Sequence, residues 1–109
     1  MALSCQGGNI KGDYLVNVTI SPALVAANTT AEQTFSLPGL ILNQDFVVGI
    51  SKPTAQAGLG IVGMRVTAND TLGITFSNNT ASGITPTASQ TYTIEVKRVE
   101  GAPFTNLSR

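Results

Sequence analysis

The sequence predicts an all-β fold: an antiparallel β-sandwich, jelly-roll or immunoglobulin-like, of about six to eight short strands with extended N- and C-terminal arms. Three observations predict it. Apolar and polar residues alternate with period two in run after run. Those runs are rich in β-branched and aromatic residues, the types that suit a half-buried pleated surface. Turn chemistry interrupts them about every ten residues.

The first run places Tyr14, Val16, Val18 and Ile20 on one face and Asn17 and Thr19 on the other. A brief second run turns Phe35 and Leu37 inward and stops at Pro38-Gly39. Phe46, Val48 and Ile50 form the next set, closed by Lys52-Pro53 because proline cannot donate to a ladder. Val62, Met64 and Val66 then stand opposite Gly63 and Arg65, and Leu72, Ile74 and Phe76 alternate with Gly73 and Thr75. Ala68-Asn69-Asp70 between them reads as a tight hairpin link. After the polar turns at 77–80 and 82–83, Pro86 precedes the last and, by pattern, longest strand, with Tyr92, Ile94 and Val96 on one face. Residues 21–31 could form one helical turn, but Pro22 and Asn28-Thr29-Thr30 keep it short; a strand or irregular link is expected. Pairing between sequence neighbours is expected to dominate. The expected organisation is an N-terminal arm at 1–12, the sandwich at 13–100 and a C-terminal arm at 101–109.

Length and composition narrow the function. The 109 residues supply one domain and one modest core. Charged residues are 11% where roughly 25% is usual, so the polar surface is mostly neutral. Lys plus Arg equals Asp plus Glu at six each, without the basic excess that nucleic-acid binding calls for. Such a charge-poor surface suits a protein partly covered by neighbours. Cys5 is the one cysteine, so no intrachain disulfide forms; it reads as a small apolar residue. The first eight residues carry no basic n-region, and no run approaches the roughly 20 apolar residues that span a bilayer. A soluble protein made in a cytoplasm, with no membrane partner, is expected.

Chemistry finds little footing. Gly58-Leu59-Gly60-Ile61-Val62-Gly63 matches G-x-G-x-x-G by letter, but a strand and turn follow where a dinucleotide site needs a helix N-terminus. The expected reading is a loop and a bulged strand start. Histidine, the commonest general base, is absent. A metal would have only carboxylates, from Asp13, Glu32, Asp45, Asp70, Glu95 and Glu100, and none are at ligand spacing. Ser51-Lys52 reads as a strand end. Asn-x-Ser/Thr triplets at Asn17, Asn28, Asn69, Asn78 and Asn106 read as coincidence in an Asn/Thr-rich chain. Arg65 is expected to point outward, or to form an ion pair with Asp70 or Glu95 across a subunit contact. No enzyme activity, cofactor or metal is expected.

Residues 32–98 carry a resemblance. The stretches are Phe35-Ser36-Leu37-Pro38-Gly39-Leu40, Asp45-Phe46-Val47-Val48, Ile50-Ser51-Lys52-Pro53-Thr54 and Gly60-Ile61-Val62-Gly63-Met64-Arg65-Val66. Asn69-Asp70-Thr71-Leu72-Gly73-Ile74-Thr75-Phe76-Ser77-Asn78 and Tyr92-Thr93-Ile94-Glu95-Val96 complete them. About two-thirds of the chain thereby resembles the small β domains of phage virion structural proteins, which serve as capsid decoration (cement) subunits or as fibre and appendage components. The resemblance implies a virion protein made in the host bacterial cytoplasm. Its partners would be the major capsid protein and copies of itself, as trimers. Leu3, Ile10, Arg65, Phe104 and Leu107 are the expected assembly contacts. The alternative is a tail-fibre or appendage module, or one that binds host glycans.

Overall fold

The computed structural model describes residues 8–106. Leu3 and Leu107, two of the expected contacts, and the outer parts of both expected arms lie outside the described residues. Six strands are present among the described residues: β1 (Ile10–Ile20), β2 (Thr29–Ser36), β3 (Asp45–Ser51), β4 (Leu59–Ala68), β5 (Thr71–Asn78) and β6 (Gln90–Val99). No helix occurs among the described residues, and 21–28 is an irregular link. The strands form two three-stranded sheets, ordered β1-β6-β3 and β2-β5-β4, with every pairing antiparallel.

The chain alternates between the sheets. β1 and β3 lie in one, β2 and β4 in the other, so most links cross from layer to layer. Sequence neighbours therefore pair only in the β4–β5 hairpin, contrary to the expectation that such pairing dominates. The hairpin turn is Asn69-Asp70, with Asp70 at φ +62°, a left-handed conformation that Asp tolerates better than most residues. The longest strand is β1, at 11 residues, and not the last one, at 10. Ile10, Lys11 and Gly12 belong to β1, with Ile10 opposite Val99, so the strand claims residues that the sequence assigned to an arm. Residues 101–106 carry no strand and are exposed.

The two central strands dominate the core. Leu72, Ile74 and Phe76 from β5 face Tyr92, Ile94 and Val96 from β6, and these six side chains are almost wholly covered. Their partners must place inward residues opposite them, and two bulges make this work. On β3, Val47 pairs with Val96 and Ile50 with Ile94, so three steps on β3 match two on β6. On β4, Ile61 pairs with Phe76 and Met64 with Ile74 across a second bulge. A bulge inserts a residue and shifts the inward phase. Consequently Val47 is 9% exposed and Val48 48%, while Ile61 packs on the core and Val62 is 62% exposed. The sets Phe46-Val48-Ile50 and Val62-Met64-Val66 thus do not each lie on one face; Phe46, Val48 and Val62 point out.

The end where β3 and β5 finish is closed by polar links. Buried Asn78 donates from Nδ2 to the carbonyls of Val25 (3.0 Å) and Ser82 (2.8 Å), and its Oδ1 accepts from the Thr80 amide. A Val25–Ile84 bridge ties the same two links together. Lys52 Nζ donates to the Thr54 carbonyl and to Gln56 Oε1, holding the β3–β4 link, and partial burial lowers its pKa. Gly58, at φ +80°, then opens β4, so the glycine-rich stretch is a turn running into a bulged strand.

Two stability experiments follow from this packing. Val47→Ala is expected to cost roughly 1–3 kcal/mol in urea denaturation, whereas Val48→Ala stays within about 0.5 kcal/mol. The Tyr92 hydroxyl is buried with no hydrogen-bond partner among the described residues. An unsatisfied buried hydroxyl is a desolvation cost, so Tyr92→Phe is expected to raise stability by about 1 kcal/mol in the same assay.

Candidate functional site

The functional geometry begins at the end of the molecule where β1 starts. Asp45 opens β3 with its carboxylate fully buried, an expensive placement unless the charge is paired and hydrogen-bonded. Arg98 on the adjacent β6 meets it side-on, with Nε to Oδ1 at 2.6 Å and Nη2 to Oδ2 at 2.8 Å. The Ile41 amide donates to the same carboxylate at 2.9 Å. The guanidinium holds the Asp45 carboxyl below the usual carboxylate range against the opposing effect of burial. Arg98 also donates to the Gly39 carbonyl and lies 5.7 Å from the Tyr14 ring centroid.

The β2–β3 link, 37–44, is clamped between this pair and the β4–β5 turn. Asp70 Oδ1 accepts from the Gly39 amide, its carbonyl accepts from the Leu37 amide, and its own amide donates to Leu40. Asn69 Oδ1 accepts from the Leu42 amide. Between the ordered link and β1 runs a cleft of about 300 Å³, with Tyr14, Val16, Leu37, Leu40 and Val96 as apolar walls and the Asp45–Arg98 pair among its lining.

A second hollow, of about 360 Å³, lies on the outer side of the β1-β6-β3 sheet. Ile10, Phe46, Val48, Val99, Pro103 and Phe104 line it, with Asn9 and Lys97 at its margin. Two expected contacts, Ile10 and Phe104, are brought together here, 47% and 60% exposed. Phe46 and Val48 are surface residues that period-two reading had placed together with half-buried Ile50. The glycine inside the run, Gly49, is the one sequence sign of the bulge that puts Ile50 on the opposite face from them. Lys97 is neutralised locally, with Nζ 2.8 Å from Asp13 and 3.6 Å from Glu95.

Arg65 lies elsewhere, on the outer face of the β2-β5-β4 sheet. It points outward, and its guanidinium clasps Glu32 of its own chain at 2.7 and 2.8 Å, reaching across the central strand. Gly73 makes room for that crossing. A Cβ there would sit 2.7 Å from Glu32 Oε2 and from Thr67 Cγ2. Within the chain, Arg65 therefore pairs with neither Asp70 nor Glu95.

Among the described residues no group of three or more His, Cys, Asp or Glu is placed to hold a metal ion, and no helix is long and apolar enough to cross a membrane. Asp13, Glu32 and Asp45 are each held by a cation, and Asp70 by a backbone amide.

No family model, curated protein or solved structure matches the chain.

The Asp45–Arg98 pair has a pH signature. Because the folded-state pKa of Asp45 is depressed, the pair's contribution is complete above the unfolded carboxylate value, about 4. It is lost as pH falls through the depressed value, since the unfolded chain takes up the proton first. The urea midpoint of the wild type is expected to fall below about pH 4. Asp45→Asn is expected to flatten that fall, leaving the smaller slope due to Asp13 and Glu32, whose pKa values Lys97 and Arg65 also lower.

Proposed function

We propose that this chain is a non-enzymatic structural subunit that acts by packing against other proteins, with the hollow lined by Ile10, Phe46, Val48 and Phe104 as its docking surface. The observation that carries this reading is the convergence of apolar side chains from β1, β3 and the 101–106 stretch on the exterior. A contiguous exposed apolar patch on a small domain marks an interaction site. Covering it contributes roughly 25 cal/mol per Å² buried.

The resemblance of residues 32–98 supports placing the subunit on a phage virion, as a decoration protein that packs on the major capsid protein and on its own copies and resists expansion of the head. In this reading residues 101–106 are the inner part of a docking arm. The fold is an immunoglobulin-like sandwich in preference to a jelly roll. The order β2-β5-β4 matches strands B-E-D, and β3-β6 matches C-F, with β1 standing beside β6 where strand G would lie. The second reading, an appendage module that binds host glycans, is favoured by one observation: Phe46 and Phe104 are exposed aromatic rings lining one hollow. Saturable binding on a glycan array would support it.

Purified heads lacking the subunit are expected to bind the wild-type protein saturably and to regain resistance to heat and osmotic shock. The Phe46→Ser/Phe104→Ser double variant is expected to bind about tenfold more weakly or worse, equivalent to about 1.4 kcal/mol. Burst resistance that does not change with occupancy would remove the cement role.

A further inference from the structure

The two sheets leave four outer strands, and three of their edges are blunted. β3 is broken by the Val47/Gly49 bulge and stops at Lys52-Pro53. β4 carries two bulges, at Ile61/Gly63 and Val66/Ala68. β2 is engaged by the preceding link, for Gln33 exchanges two hydrogen bonds with the Ala23 backbone, at 2.7 and 2.9 Å. Bulges, proline and covering links are the means by which proteins prevent edge-to-edge pairing.

β1 is the exception. It is the longest strand, its one irregularity is at its start, between Ile10 and Gly12, and it contains no proline. Among the described residues it has a strand, β6, on one side only. Three of its outward polar side chains are spent on β6, Asp13 on Lys97, Asn17 on Thr93 and Thr19 on Thr91, and Lys11 is exposed. Leu15, in the middle of this row, is 76% exposed, the highest value of any large apolar residue described.

We infer that β1 is a self-association edge, pairing antiparallel with β1 of a second copy about a two-fold axis at Leu15. Antiparallel pairing about Leu15 sets the two exposed Leu15 side chains against each other and pairs the regular stretch from Gly12 to Val18 with itself, clear of the bulge at Ile10/Gly12. Leu15 then faces Leu15 of the second copy, Asp13 faces Asn17, and Lys11 faces Thr19, so no like charges oppose each other. On the inner face Tyr14 meets Val16 from each side, covering the side of the cleft against Leu37 and Leu40 that the single chain leaves open. An axis at Tyr14 would set each Leu15 against the Asp13 carboxylate, which opposes that register. The product is one continuous six-stranded sheet, a closed isologous dimer. It replaces the three-fold association that the virion resemblance implies, and it leaves the hollow at Phe46 and Phe104 free for a different partner. The inference rests on the β1 edge and stands without the virion reading.

Sedimentation equilibrium and disulfide capture test it on the full chain. The wild type is expected to be dimeric at high concentration, and Leu15→Lys, which sets two ammonium groups on the axis, to dimerise about tenfold more weakly or worse. Leu15 is exposed, so the variant is expected to keep the wild-type circular dichroism and melting temperature. In a Cys5→Ser background, Leu15→Cys is expected to oxidise readily to a dimer. Directly opposed residues lie roughly 4.5–5.5 Å apart at Cα, within disulfide reach. Asn17→Cys is expected not to cross-link, because its copies are offset by about 13 Å along the strands. A wild type that stays monomeric at near-millimolar concentration overturns the inference. So does a Leu15→Lys variant that dimerises like the wild type, or an Asn17→Cys variant that cross-links as fast as Leu15→Cys. None of these results bears on binding to heads, so the two readings fail separately.

Discussion

The buried carboxylate of Asp45 is the constraint around which this end of the molecule is organised. A charge with no access to solvent must be matched on every side, and Arg98 with the Ile41 amide does so. Satisfying it places β3 against β6, folds the 37–44 link back over the strand ends, and brings the Gly39 carbonyl to Arg98. Because Asp45 must point inward, Val47 does too, and Phe46 and Val48 are left outside. The exposed apolar surface proposed as the docking site is thus a direct consequence of an internal ion pair.

The bulges follow from a related demand. β5 and β6 are central strands with strict alternation, and their inward residues fill the core. An outer strand that twists around such a centre needs an extra residue to keep its inward side chains in phase; β3 supplies one beside Gly49, and β4 one beside Gly63 and a second between Val66 and Ala68. The inserted residue turns an apolar side chain to solvent and also spoils the edge for pairing. β1 has no such insertion beyond its first turn of pleat, and so it keeps both its regular backbone and its capacity to pair.

The charge distribution fits a protein read through shape. Arg65, Lys97 and Arg98 are each bonded to a carboxylate of the same chain, which leaves little net field on the surfaces they occupy. The Glu32–Arg65 pair crosses over Gly73 on the outer face of its sheet. The two surfaces proposed as contacts are of other kinds, one an apolar area and one a backbone edge.

The amino-acid sequence by itself determined that the chain is all-β. Six alternating or near-alternating runs, punctuated by Pro38-Gly39, Lys52-Pro53 and Asn69-Asp70, leave no room for a helix of useful length, and local backbone preference acts within a few residues. It also determined the core of β5 and β6, since strict alternation survives wherever a strand is central. Only the tertiary structure decided which strands pair, because the contacts of β1 with β6 and of β2 with β5 join segments far apart in sequence. It alone decided that Asp45 is inside, that Phe46, Val48 and Val62 are outside, and that Arg65 turns to Glu32. Each of these depends on a bulge or a partner contributed by another strand. The phase of a strand is a property of the sheet that holds it, and no run of residues contains that information alone.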